Sequence, residues 1–225
     1  MSPPLPAPNP LLHRTLWTLL ILIVIGMFGY FVWKADKNLM AAASRTLPTY
    51  DVITPFSMTE RSGRTVTEKD LLGKVCVVDF FFTSCPGPCP VMSQRLQQLQ
   101  QSLNKTDKVR LISFSVDPET DTPEVLQAYA KRYFADPDKW WFLTGSSQDV
   151  QHLAVNVFRL PLSRNPDEDI PKVGKFLHST RFILVDAKGY IRGYYNSYNN
   201  DGTYNHEFEP QLLRDIGLVM KEDGL

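Results

Sequence analysis

Two cysteines four positions apart, Cys85 and Cys89, are the residues of this sequence best suited to chemistry. Each is followed by a proline, and an amphipathic helical pattern begins directly after the second. A helix N-terminus presents unpaired N–H groups and the positive end of the helix dipole, which favour a thiolate. We therefore expect a lowered cysteine pKa, and either a redox-active pair or a soft metal site. A purely structural disulfide is disfavoured, because so short a loop restricts the unfolded chain little.

A metal site built on two thiolates needs a further ligand, and the chain has four histidines. His13 precedes a long apolar segment, His152 falls within a helical pattern, and His206 precedes the last predicted helix, which it can help to cap. His178 stands directly before a predicted strand, at the junction that lies beside the dithiol in thioredoxin-like folds. The two thiolates and this imidazole would form a site suited to copper.

Three acidic residues lie close to the predicted site. Asp79 is embedded in an apolar strand six residues before Cys85, where a buried carboxylate can act as a proton acceptor for the thiols. The alternative, a carboxylate that is only hydrogen-bonded to its neighbours, stays open. Asp117 and Asp121 follow the next strand, with a role either in docking and copper acquisition or in turn formation and capping. Cys76 lies in an apolar run and is predicted to be a small buried residue.

The elements that position these residues form a compact α/β domain from about residue 48. A β-hairpin comes first, then a β-α-β-α-β-α series, then a second hairpin and a final helix. The dithiol lies where the first core strand passes into its helix, which is the thioredoxin arrangement. The predicted segments are a turn at Ser62–Gly63, a strand at Val109–Val116, a helix capped by Thr122, a strand at Trp140–Leu143, a helix at Ser147–Phe158, a loop at Pro161–Lys175, a turn at Asp186–Gly189 and a helix at Glu207–Met220.

Ahead of this domain, Leu16–Trp33 carries no charged residue. Its roughly 18 residues rise about 27 Å as a helix, close to the hydrocarbon thickness of a bilayer. We predict a tail at 1–15, an uncleaved transmembrane anchor at 16–33, a linker at 34–47 and the domain at 48–225. A cleaved signal peptide, with small residues at Ala41–Ser44, is the rival interpretation. Both interpretations export the domain across the membrane. The two lysines and the arginine that follow the span favour the opposite orientation, with the domain inside.

The composition excludes one broad class of partner. The 225 residues balance 24 lysines and arginines against 24 aspartates and glutamates, so the formal net charge is +0. Nucleic-acid binding needs clustered basic charge, and we predict none. Three cysteines are also too few for a disulfide-dense secreted scaffold.

Three motifs resemble those of the SCO/SenC family, copper-binding assembly factors of cytochrome c oxidase. They are FFFTSCPGPCPVM, SFSVDPETDTPEVLQAYAKRY and HSTRFILVDAKG, and the similarity covers most of residues 50–220. The resemblance implies a thioredoxin-like fold and a copper ion, Cu(I) or Cu(II), held by Cys85, Cys89 and His178. The Pro-Gly-Pro spacer and a segment rich in tyrosine and asparagine at 194–208 depart from the family pattern and put the client in doubt.

The resemblance implies a membrane-anchored copper chaperone for the dinuclear copper centre of oxidase subunit II, supplied by a copper donor protein. The alternative is a thiol–disulfide oxidoreductase that uses Cys85 and Cys89, with Asp79 as proton acceptor, to reduce client cysteines. A peroxiredoxin-like peroxidase is disfavoured, because the sequence shows no threonine-and-arginine pocket for peroxide around the cysteines. Without an Arg-rich transit peptide, the setting predicted is a bacterial inner membrane with the domain in the periplasm, rather than a mitochondrial membrane.

Overall fold

The computed structural model describes residues 10–43, 46–166, 169, 175–199 and 201–225, without the side chains of 10–13, 35, 36, 38–43, 177 and 178. The chain divides into two units, Met1–Thr46 and Leu47–Leu225. The first contains helix α1 (Pro10–Ala43), in which one stretch, Arg14–Lys34, is long and apolar enough to cross a membrane. Most of the segment predicted to be a linker is therefore helical.

The second unit is built on a mixed β-sheet. The described residues contain β1 (Ser57–Glu60), β2 (Thr65–Thr67), β3 (Val75–Phe81), β4 (Val109–Ser115), β5 (Trp140–Thr144), β6 (Leu162–Arg164), β7 (Phe176–His178), β8 (Arg181–Val185) and β9 (Ile191–Asn196). Seven of these strands form one sheet in the order β2-β1-β5-β4-β3-β8-β9. The central strands β3, β4 and β5 are parallel, and the flanking strands pair antiparallel.

Helices pack against this sheet and leave its centre without contact with solvent. They are α2 (Cys89–Ser102), α3 (Pro123–Arg132), α4 (Ser147–Gln151), which continues as a π-helix over His152–Val157, and α5 (Phe208–Asp223). Every residue of β3 is buried, as expected of a parallel strand covered on both faces. The one acid in that strand, Asp79, is thus forced into the apolar interior beside the cysteine loop.

From β3 to the last helix, the α/β series follows the predicted order except for two added strands, and Thr122 caps α3 with Pro123 in the first turn, as predicted. The segment Pro161–Lys175 was predicted to be only a loop. Its start instead forms β6, which pairs antiparallel with β7 in a separate two-stranded sheet and satisfies backbone groups there. His178 is therefore the last residue of β7, and two residues separate it from the start of β8.

Candidate metal and redox centre

The cysteine loop connects the end of β3 to the first residue of α2. The amide of Cys85 donates to the carbonyl of Phe82 at 3.3 Å, which closes a tight turn after the strand. Cys89 is the first helical residue, Pro88 occupies the N-cap position, and Pro90 lies in the first turn, where its missing N–H costs nothing. The prolines therefore restrict the backbone that carries the two thiols.

The two sulfur atoms are adjacent but differ in exposure. Both residues are present as thiols; Cys85 is 8% exposed and Cys89 is 0% exposed. Burial raises the pKa of the Cys89 thiol far above its usual range, and its contact with Cys85 and the charge of Asp79 raise it further. The expected lowering of a cysteine pKa is wrong for Cys89, because desolvation of this buried thiol raises its pKa more than the backbone hydrogen bond with Phe82 lowers it. Cys85 is the more accessible of the two.

Asp79 is the buried end of a hydrogen-bonded chain that crosses three strands. Asp79 is 1% exposed, and its Oδ1 accepts a hydrogen bond from Ser113 Oγ at 2.6 Å. Ser113 Oγ in turn accepts from the indole Nε1 of Trp140 at 2.9 Å. Ser113 is directly opposite Asp79 in the parallel register of β3 and β4. This partner of Asp79 was not predicted, although a serine inside an apolar strand is a visible signal in the sequence.

The turn after β4 contacts the cysteine loop through Asp121. This fully buried carboxylate accepts hydrogen bonds from the amide of Thr83 at 3.1 Å, from the Thr83 hydroxyl, and from Ser115 Oγ at 2.6 Å. Burial raises the pKa of Asp121, and these hydrogen bonds oppose the shift. The cap of the following helix is Thr122, which accepts from the amide of Val125. Turn formation is thus observed for Asp121, and capping belongs to its neighbour.

The strand that carries His178 lies beside the cysteine loop. The ring of Phe176 contacts that of Phe82, three residues before Cys85, with centroids 5.9 Å apart. Lys175, directly before the strand, forms an ion pair with Asp117 at 3.0 Å. The side chain of His178 lies outside the described residues, so its part in a metal site stays a prediction.

The other predicted residues have ordinary surroundings. Cys76 is fully buried, as predicted, and burial raises its pKa to about 12. His152 is exposed and shares a hydrogen bond with Asn156 at 3.0 Å. His206 is also exposed, and the N-cap of α5 is Glu207, so the predicted capping by His206 is wrong. Within the side chains that are described, no group of three or more His, Cys, Asp or Glu could hold a metal ion.

A pair of tyrosines near the thiols was not found from the sequence. Tyr198 and Tyr204 face each other across an isolated β-bridge, and Arg95 of the cysteine helix stacks on the Tyr204 ring at 3.9 Å. Burial raises the pKa of Tyr198, and negative charge on Cys89 and Cys85 would raise it further. The segment that departs from the family pattern therefore lies at the edge of the dithiol site.

Comparisons with known proteins agree with this geometry. A model of the SCO1/SenC family matches residues 44–211. The SCO1 protein homolog of Bacillus subtilis (strain 168) is 35% identical over 150 residues, 66% of this chain and 75% of that protein. The structure of BsSco, a member of the Sco family of cytochrome c oxidase assembly proteins in which a disulfide switch was identified, matches with a TM-score of 0.64 and 31% sequence identity. The match covers 78% of this chain and 96% of the BsSco chain. Bradyrhizobium japonicum ScoI, solved with copper bound, is 27% identical at a TM-score of 0.58, with 72% and 98% covered. This chain belongs to the SCO1/SenC family, and its second unit has the thioredoxin-like fold of the Sco structures.

Proposed function

We propose that this protein is a membrane-anchored copper chaperone that delivers copper to the dinuclear centre of cytochrome c oxidase subunit II. The observation that carries the proposal is the contact between two thiols, Cys85 and Cys89, at the start of a helix beside the strand of His178. Two thiolates and an imidazole are soft and borderline donors that suit Cu(I), and Cu(II) with added ligands. Relatives solved with copper bound support the same cargo.

The chemistry of capture follows from the state of the thiols. A thiol binds copper as the thiolate, so loading must release protons from the pair. Burial keeps Cys89 protonated, because water cannot solvate its thiolate. The bound copper ion must therefore stabilise the negative charge of that thiolate itself. A nearly closed site of this kind releases copper only when a client offers its own ligands. In this proposal, the client and the donor protein are recognised by surfaces around Cys85, the more exposed of the two thiols.

Copper titration of the full-length chain in detergent micelles tests the proposal. We expect one tightly bound copper per reduced chain, and a loss of binding in Cys85→Ser and Cys89→Ser. His178→Ala is expected to weaken binding at least about 10-fold, because one ligand is lost. The exposed histidine variants His152→Ala and His206→Ala are matched controls that keep wild-type affinity. Tight binding retained in all three site variants would refute the metal site.

A second function, thiol–disulfide oxidoreductase, is favoured by a separate observation. The Asp79 carboxylate lies in the interior near Cys89, held by Ser113, where a proton acceptor for the buried thiol is required. A disulfide switch has been identified in the relative BsSco. This function needs both cysteines but not His178. Reduction of a client disulfide at the wild-type rate by His178→Ala would therefore assign the redox role independently of copper.

We further propose that α1 anchors the protein in a bacterial inner membrane, through residues 16–33, with the domain at 48–225 in the periplasm. Its support is the exposed apolar surface of Arg14–Lys34. Membranes from cells that make the protein are washed with alkaline carbonate, and the N-terminus of the retained protein is sequenced. Retention with an intact N-terminus supports the anchor. A mature N-terminus near Ala41–Ser44 would identify a cleaved signal peptide instead.

A further inference from the structure

One short turn contacts both segments of the proposed copper site. This acidic turn comprises Asp117–Asp121, between β4 and α3. Its first arm is the carboxylate of Asp121, which holds the segment before Cys85. Its second arm is the carboxylate of Asp117, which holds Lys175, the residue before the strand of His178. These two segments are about 90 positions apart in sequence, so only tertiary contacts can keep them together.

The first arm of the acidic turn fixes the start of the cysteine loop. Asp121 accepts from both the amide and the hydroxyl of Thr83, two residues before Cys85. A third hydrogen bond, from Ser115, orients the same carboxylate and completes its buried surroundings. Several hydrogen bonds to one carboxylate leave Thr83 little freedom, because each broken bond would strand a buried acceptor.

The second arm fixes the residue that precedes β7. The Nζ of Lys175 lies 3.0 Å from Oδ2 of Asp117 and donates to Thr120 Oγ1 at 2.8 Å. The Asp117 side chain is 2% exposed and that of Lys175 is 33% exposed. An ion pair that is buried on its acidic side, with a second hydrogen bond from the cation, is held more firmly than an exposed surface pair.

The turn between the two arms is itself rigid. The amides of Thr120 and Asp121 donate to the carbonyl of Asp117 at 3.0 and 2.8 Å, and Ser115 Oγ accepts from the amide of Asp117 at 3.1 Å. The arms therefore cannot move independently of each other. The packing of Phe176 on Phe82 adds a direct contact between the two segments that the arms hold.

We propose that the acidic turn positions the His178 segment against the cysteine loop and thereby sets the affinity for copper. This inference rests on the proposed function and names the residues that make its site tight. Neither carboxylate is a ligand in this account. Each acts through another segment, by removing the conformational freedom that the site would otherwise lose on capturing the ion.

The test compares two lysine-to-methionine variants of the full-length chain. Lys175→Met removes the ion pair with Asp117. Lys188→Met removes a similar pair, in which the Nζ lies 3.2 Å from Asp223, an aspartate whose side chain is also 2% exposed. Lys188 is in the turn between β8 and β9, at the opposite end of β8 from the cysteine loop. Any general cost of losing a lysine–aspartate pair is thus common to both variants.

Copper affinity is measured by competition with a coloured Cu(I) chelator, and the dithiol reduction potential by equilibration with glutathione. Lys175→Met is expected to bind copper about 10-fold more weakly, the loss typical of a residue that orients a ligand. Its reduction potential should stay at the wild-type value, because the cysteine loop is held by the other arm. Lys175→Arg restores the affinity, and Lys188→Met keeps wild-type values for both quantities.

A double-mutant cycle identifies the segment through which Lys175 acts. In a His178→Ala background the Lys175→Met change should have no further effect, because no ligand remains to be positioned. Wild-type affinity in Lys175→Met, an equal loss in Lys188→Met, or full additivity with His178→Ala would each overturn the inference. Failure of the wild-type chain to bind copper would instead overturn the proposed function, and this inference with it.

Discussion

The Asp79→Asn variant distinguishes two effects of this carboxylate on the buried thiol. The substitution keeps the shape of the side chain and an oxygen that can accept from Ser113, which donates to Oδ1 of Asp79 at 2.6 Å. It removes the charge that helps to raise the pKa of Cys89. If that charge were the only influence, the variant would hold more thiolate at any given pH and would react faster.

We predict instead that Asp79→Asn reacts more slowly, because the same change removes the proposed proton acceptor. Cys85, at 8% exposed, is the thiol that can attack an external disulfide, and Cys89, at 0% exposed, must then resolve the mixed disulfide. Cys89 has to lose its proton in the interior, where burial keeps its pKa high. A positioned general base is worth about 10²–10⁴-fold in rate. We expect resolution to slow about 100-fold, which corresponds to about 2.7 kcal/mol.

The assay mixes the reduced full-length chain with excess oxidised glutathione and follows release of the second glutathione between pH 6 and 9. In Asp79→Asn the slow phase should accelerate as pH rises, because the Cys89 thiolate must then form without an internal base. Ser113→Ala is the control; it keeps the carboxylate and should change the rate less than 10-fold. Resolution as fast as in the wild type at every pH would refute a proton-accepting Asp79. Copper stoichiometry should stay at one in both variants.

Three further predictions concern the framework of the domain. Arg192→Met should destabilise the protein by about 3–5 kcal/mol in urea unfolding, because it leaves the carboxylate of Asp186, now 3.2 Å from the guanidinium, buried without its partner; a loss under 1 kcal/mol would contradict this. Gly193→Ala should cost about 1–3 kcal/mol, since its Cβ would lie 2.8 Å from the hydroxyl of Tyr195 and displace the hydrogen bond that this group donates to α5; an unchanged melting temperature would contradict it. Because burial raises the pKa of Asp121 above 3.8, its contribution favours folding at low pH and is lost as pH rises through the folded-state pKa. Asp121→Asn should remove this contribution to the pH dependence of the unfolding free energy. An unchanged pH profile would show that Asp121 does not cause it.

Local sequence patterns were sufficient for the central α/β series, although not for β6 and β7. The apolar run around Cys76 predicts a buried strand, and the helical spacing of leucines after Cys89 predicts an amphipathic helix. Both patterns arise because each element must bury its apolar side chains. The helix cap at Thr122 is likewise a local matter of three residues. The position of the dithiol at the strand-to-helix junction followed from these elements.

Electrostatic properties of the site depended on contacts that no local pattern contains. The sign of the Cys89 pKa shift was predicted wrongly, because a helix N-terminus is visible in the sequence and the depth of burial is not. The partners Ser113 and Lys175 come from other strands and loops, and only the sheet register and the fold of a long segment bring them to Asp79 and Asp117. Such pairs become predictable only when the topology is already known.

The raised pKa of Cys89 makes the two proposed functions parts of one cycle. A buried neutral thiol is a poor nucleophile, so the reduced protein resists chance oxidation until the more exposed Cys85 is engaged. In the proposed cycle, copper binding and disulfide formation would both require the same proton to leave Cys89, and Asp79, whose charge acts on this thiol, is the acceptor that we propose for it. Asp79→Asn should therefore slow copper loading as well as thiol exchange, while leaving the final copper affinity near that of the wild type. Stopped-flow measurement of loading decides the point: an unchanged loading rate would show that copper capture and thiol exchange use different proton routes.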